Sequence, residues 1–141
     1  MMNPETTRSV VIEREMPHAP EKVWLALTQG YLIEQWLMKN DFEARTGHRF
    51  RFRSTPYGNW DGVIEGEVLE VEPKSRLSYS WSSMGLRTVV QWTLTPITGG
   101  THLRMEQSGF PATGGDGYYK GATAGWNNFI GNLERILGGL R

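Results

Sequence analysis

Constellations of side chains arranged for acid–base or metal chemistry are scarce in this chain. The three histidines, His18, His48 and His102, fall in a Pro-bounded loop, at a turn and on an outward strand position. They lack metal-ligand spacing, such as two histidines one helical turn apart, and each reads as a surface or capping residue. Glu65 and Glu67 lie in a strand whose alternation slips, so one of them can point inward. An inward carboxylate is costly unless paired or protonated, and it would serve as a general base; the plainer reading is a solvated strand face. Arg14 shares parity with Val10, Ile12 and Met16. It would pair with such a carboxylate or else sit at an exposed edge. Arg45, Arg49, Arg51 and Arg53 form a basic stripe that would steer an anionic lipid or partner, or simply face solvent. Gly114-Gly115-Asp116-Gly117 is no phosphate loop, because no Lys-Ser/Thr follows at the required spacing. No catalytic residue, metal or cofactor is expected from these groups.

The totals narrow the classes further. A chain of 141 residues suits one domain, residues 1–141, with a frayed start, and can bury a core unaided. Lys plus Arg balance Asp plus Glu, so no basic excess points to nucleic acid. Cysteine is absent, which removes thiol catalysis, disulfides and Cys-ligated zinc and fits a reducing cytoplasm. No charged start leads into an apolar run, so no signal peptide is expected, and no stretch is long enough for membrane insertion.

The elements that must position any site follow from periodicity. Ser9 to Met16 reads as a strand, stopped by Pro17 to Pro20. Pro20 then opens a short helix with Val23, Trp24 and Leu27 on one stripe. A second short helix follows Gly30 and carries Leu32, Ile33, Trp36 and Leu37. From Asp41 the period becomes two. Phe42 and Ala44 read as a strand ending at Thr46-Gly47, and Phe50 and Phe52 face inward on the next. Gly62 to Glu72 is a longer strand with a bulge expected near Gly66 to Leu69. Leu77, Tyr79 and Trp81 alternate with serines. Val90, Trp92 and Leu94, then Leu103 and Met105 after the Thr98-Gly99-Gly100 hairpin, face inward. The last element is a long amphipathic helix from Tyr118 to Leu137. Its apolar face is read as Ala122, Trp126, Phe129, Leu133 and Ile136. No helices separate the later strands, so the class is α+β. About six to seven antiparallel strands form a curved sheet around one long C-terminal helix, with two short helices after the first strand.

That order resembles the START-like (SRPBCC) helix-grip superfamily. The local motifs are similar to the family of homologues of the activator of heat-shock-chaperone ATPase. They include Ala19-Pro20 with Val23-Trp24, Trp36, Arg45 to Phe50, Gly66 to Val71, Leu77 with Tyr79 and Trp81, and Gly100 to Leu103. Ser108-Gly109-Phe110 and Gly125-Trp126 complete the set. The resemblance implies a cavity between helix and sheet that takes an apolar ligand such as a lipid, sterol or polyketide. The family name adds a chaperone as a partner. The eukaryotic activator carries a chaperone-binding domain ahead of this one, and the residues before the first strand leave no room for it, so ATPase stimulation is not expected here.

The leading expectation is a cytoplasmic, non-enzymatic module, monomer or homodimer, that holds a small hydrophobic molecule under the long helix. Trp36, Trp60, Trp81, Trp92 and Trp126 would stack on it or plug the space, together with Phe52, Met105 and Phe129. Tyr79, Gln91 or Glu67 would orient it, and the segments Tyr57 to Trp60 and Pro111 to Tyr119 would gate it. The alternatives are a stress-related co-chaperone using the basic stripe and a polyketide-cyclase-like enzyme.

Overall fold

The computed structural model describes residues 7–111 and 117–140. Strand β1 (Thr7–Met16) leads into helices α1 (Pro20–Thr28) and α2 (Gly30–Trp36). Six strands follow: β2 (Lys39–Asn40), β3 (Arg49–Arg53), β4 (Val63–Glu72), β5 (Arg76–Ser83), β6 (Leu86–Ile97) and β7 (Gly100–Pro111). Helix α3 (Gly117–Gly139) closes the described chain. The seven strands make one antiparallel sheet in the order β1-β7-β6-β5-β4-β3-β2. This is the helix-grip arrangement. Among the described residues no helix is long and apolar enough to cross a membrane.

Local chemistry explains the early elements. Pro20 starts α1, where its missing N–H costs nothing, and the Ala19 carbonyl accepts from the N–H groups of Lys22 and Val23. Gln29 ends α1 and begins α2, so the two short helices turn on a single residue. The Trp36 indole donates to the Ala26 carbonyl at 2.8 Å and ties one helix to the other.

Register places the core. Ile12, Met105, Trp92 and Leu77 are cross-strand partners in one row, and Val10, Gln107, Val90 and Tyr79 form the next. Nearly every member of both rows is apolar and all are buried, so these rows are the floor beneath α3. Helix α3 packs on that floor and against α1, α2 and β1. Its buried seam is Trp126, Ile130, Leu133 and Leu137, with Ala122, Phe129 and Ile136 half-buried beside it. The sequence reading placed Phe129 and Ile136 on the central stripe; the helix is rotated so that Ile130 and Leu137 take it.

The β4 irregularity falls between Val68 and Glu70, within the expected span, and turns Leu69 out to solvent. The expected strand through Phe42 and Ala44 is not formed: pairing stops at Asn40. Side chains hold that segment instead. The Asn40 amide donates to the carbonyls of Gly30 and Met38 and accepts from Phe42 N–H, and the Asp41 carboxylate accepts from Arg51 N–H at 2.7 Å. Those bonds replace a strand ladder with a loop, while Phe42 still reaches the core.

The basic stripe is offset by neighbours. Arg51 pairs with Glu65 at 3.1 Å and Arg49 with Glu67 at 3.8 Å, each across the β3–β4 ladder on the outer face. Exposed pairs of this kind contribute little to stability. They do cancel much of the field the arginines would otherwise project.

Candidate functional site

Aromatic rings divide the space under α3 into a filled end and an open end. Phe42, Phe50, Phe52 and Tyr79 touch one another near β3, with centroids 4.9–6.4 Å apart. Trp36 meets Trp92 edge-on at 5.8 Å, and Trp92 meets Trp126 at 5.6 Å. These rings leave no room for a guest, and Met105 lies fully buried beneath them. Beyond Trp126 the packing stops. A cavity of about 580 Å³ opens between the first turns of α3 and the β5–β6 hairpin. That volume is in the range of small-molecule sites.

Of the ten residues expected at a ligand site, Trp60, Trp81, Trp126 and Phe129 line this cavity. Trp36, Phe52, Tyr79, Trp92 and Met105 lie in the solid core instead. Glu67 is on the outer face, its side chain 45% exposed and paired with Arg49. Arg14 does occupy the concave face, opposite Leu103, but at the sheet margin. There it donates to Asn127 Oδ1 on α3 at 3.3 Å and meets no buried carboxylate.

Each wall has a local origin. On the helix side, Gly121, Ala122 and Gly125 recur at helical spacing, so a strip of α3 has almost no side chain. An added methyl at Gly125 would meet only Phe129, at 3.8 Å. On the sheet side, Gly109 holds φ at 106°, and the β1–β7 register shifts beside it. That extra residue reverses the parity of β7, so Phe110 rejoins the inner face and lines the cavity. The rim has two tight turns. Tyr57 and Trp60 exchange backbone hydrogen bonds around Gly58-Asn59, and Trp60 Nε1 donates to the Val63 carbonyl at 3.2 Å. Met84 and Gly85 both take positive φ, 52° and 81°, in the two-residue β5–β6 turn. Tyr57 is 84% exposed and Met84 52%, so the mouth is apolar and open to water. Of the second expected gate segment, Pro111 to Tyr119, residues 112–116 lie outside the described residues.

The floor carries one polar device. The Gln107 side chain is only 3% exposed, yet it borders the cavity. Its Oε1 accepts from Trp126 Nε1 at 2.6 Å, and its Nε2 donates to Thr88 Oγ1 at 2.8 Å. Thr88 Oγ1 donates in turn to the Trp81 carbonyl at 2.9 Å. An indole can only donate, so the carboxamide orientation is settled: oxygen toward Trp126, nitrogen toward Thr88. The sequence points to Gln91 as a polar orienter, whereas Gln107 is the glutamine that borders the cavity. The signal was there, since Gln107 continues the inward parity of Leu103 and Met105. Among the described residues, the cavity lining contains no Asp, Glu, His, Lys or Arg.

A buried aromatic floor, a curved antiparallel sheet and a gripping terminal helix define a START-like (SRPBCC) domain. Within that superfamily the chain belongs to the family described as Activator of Hsp90 ATPase homolog 1-like protein, whose pattern matches residues 17–138. Among solved structures, protein MLL2253 from Mesorhizobium loti is 50% identical, with 95% of this chain and 99% of that one covered and a TM-score of 0.85. DynU16, a protein from the dynemicin biosynthetic locus, is 30% identical over 92% of this chain and 47% of its own, with a TM-score of 0.77. CalU16 from Micromonospora echinospora, at 23% identity over 96% and 80% of the two chains and a TM-score of 0.77, shares the fold. No curated protein matches the chain.

Proposed function

We propose that this protein binds a small, mainly apolar molecule in the cavity between the first turns of α3 and the β5–β6 hairpin. The observation that carries this reading is the nearly bare strip Gly121, Ala122 and Gly125 facing Trp81 across an open space, in a core that is otherwise densely filled. Affinity comes from apolar area removed from water, at roughly 25 cal/mol per Å². Trp60, Trp81, Trp126 and Phe129 supply most of the ring surface. Among the described residues the lining has no acids, bases or cationic groups, which favours holding a guest over acid–base turnover. The origin of DynU16 in a biosynthetic locus is in keeping with small-molecule handling. A chaperone partner reading the arginine stripe draws less support, because Glu65 and Glu67 offset Arg51 and Arg49 on that face.

Gly125→Leu tests the reading. Leucine is a good helix former, and nothing but Phe129 stands near the new Cβ, so the fold is kept or strengthened. The side chain then projects into the cavity. An apolar probe followed by tryptophan fluorescence should bind the wild type and lose at least tenfold in the variant, with no fall in melting temperature. Undiminished binding in Gly125→Leu would overturn the proposal. Native mass spectrometry of protein purified from its own host should also show a co-purifying small molecule.

A further inference from the structure

We infer that Gln107 is the specificity-determining residue of the cavity and selects a flat ring system bearing a hydrogen-bond acceptor, such as a ketone or quinone oxygen. The inference rests on the binding reading above and goes further by naming the ligand class.

Two of the carboxamide's groups are committed, Oε1 to Trp126 and one Nε2 proton to Thr88. An amide nitrogen carries two protons, so one remains beyond these two bonds, on a side chain that borders the cavity. A buried donor left unmatched is costly, and a ligand acceptor placed against it removes that cost. The same two bonds fix the amide in place, so it meets a ligand without ordering itself first. Thr88 is committed as a donor to the Trp81 carbonyl and cannot also donate to a guest. The floor therefore offers a donor from Gln107 and no competing hydroxyl proton from Thr88.

Ring shape follows from the walls. Trp81 and Trp126 meet at 5.2 Å with planes 50° apart, and Phe129 stands edge-on to Trp126 at 5.7 Å. Such walls present both faces and edges, which favour aromatic partners in offset and edge-to-face contact over flexible chains. Trp60 at the rim adds another ring.

The test compares two three-ring probes of nearly equal size, fluorene and fluorenone, which differ by one carbonyl oxygen. Affinities are read by tryptophan quenching in the wild type and in Gln107→Met, which keeps length and removes the amide. The ketone-to-hydrocarbon affinity ratio should be about three- to tenfold larger in the wild type than in the variant, whatever the absolute affinity of each protein for fluorene. Fluorene binding also reports that the variant is folded. If Gln107→Met does not fold, Gln107→Asn carries the same comparison, since it withdraws the amide by one methylene. Equal ratios in wild type and variant, with both probes bound, would overturn this inference and leave the binding reading intact. Failure of both probes to bind the wild type would overturn the two together.

Discussion

The Trp92 indole donates to the Tyr79 hydroxyl at 3.0 Å, and both side chains are buried in the filled end of the sheet. Tyr79→Phe removes the acceptor and leaves a buried indole N–H unmatched, at a cost of about 1–3 kcal/mol. The urea midpoint should fall accordingly. Apolar-probe affinity should not change, because Tyr79 lies outside the cavity. Burial also pushes the Tyr79 phenol well above its ordinary value, against a smaller opposing effect of the Trp92 bond. A raised folded value means stability is intact below about pH 10 and declines as pH rises beyond it. Tyr79→Phe should lack that alkaline decline.

Met84 occupies a left-handed backbone position, φ 52°, where Asn is far better tolerated. Its side chain borders the cavity mouth. Met84→Asn should therefore hold or raise the melting temperature, since Asn-Gly suits this turn. The same change should weaken an apolar probe severalfold. Thermal unfolding and titration of the same sample check both halves, and a loss of stability would contradict the account of the turn.

Gly66 lies opposite Phe50 across the β3–β4 ladder. A Cβ there would clash with the Ser80 carbonyl oxygen and the Phe50 ring. One of those atoms is backbone and cannot swing away. Gly66→Ala should cost about 1–3 kcal/mol by overpacking, read as a lower urea midpoint with an unchanged slope.

His18 is partly buried between Pro17 and α1. Its pKa is lowered, first by desolvation and then by the nearby Lys22 ammonium, which lies 3.3 Å from Nδ1. A depressed folded value means the unfolded chain takes the proton first. Stability is therefore full above about pH 6.5 and falls as pH drops below it. Melting temperatures at pH 7.5 and 5.5 should differ more in the wild type than in His18→Gln. Equal differences in the two proteins would refute the assignment.

Periodicity in the sequence was enough to place the sheet where side chains alternate without interruption. Leu77, Tyr79 and Trp81 lie on one face as expected, and Phe50 and Phe52 do so between arginines. It misled at Phe42 and Ala44, where alternation exists but Asn40 and Asp41 supply the hydrogen bonds a neighbouring strand would have made. For the site, residue type was too coarse. Trp92 and Trp81 have the same indole and the same inward parity, yet Trp92 is sealed by Trp36 and Trp126 while Trp81 faces open space. That difference arises from three-dimensional closure, which no spacing rule encodes. Phe110 was hidden for another reason, because the Gly109 bulge inverts the parity by which inward residues are recognised.

The bare strip at Gly121, Ala122 and Gly125 separates two tasks along one helix. Anchoring falls to Trp126, Ile130, Leu133 and Leu137, whereas the open volume is set by positions that contribute at most a methyl group to the packing. On the proposed binding reading, substitution on that strip would trim guest size in methyl-sized increments without reworking the scaffold that keeps the domain intact.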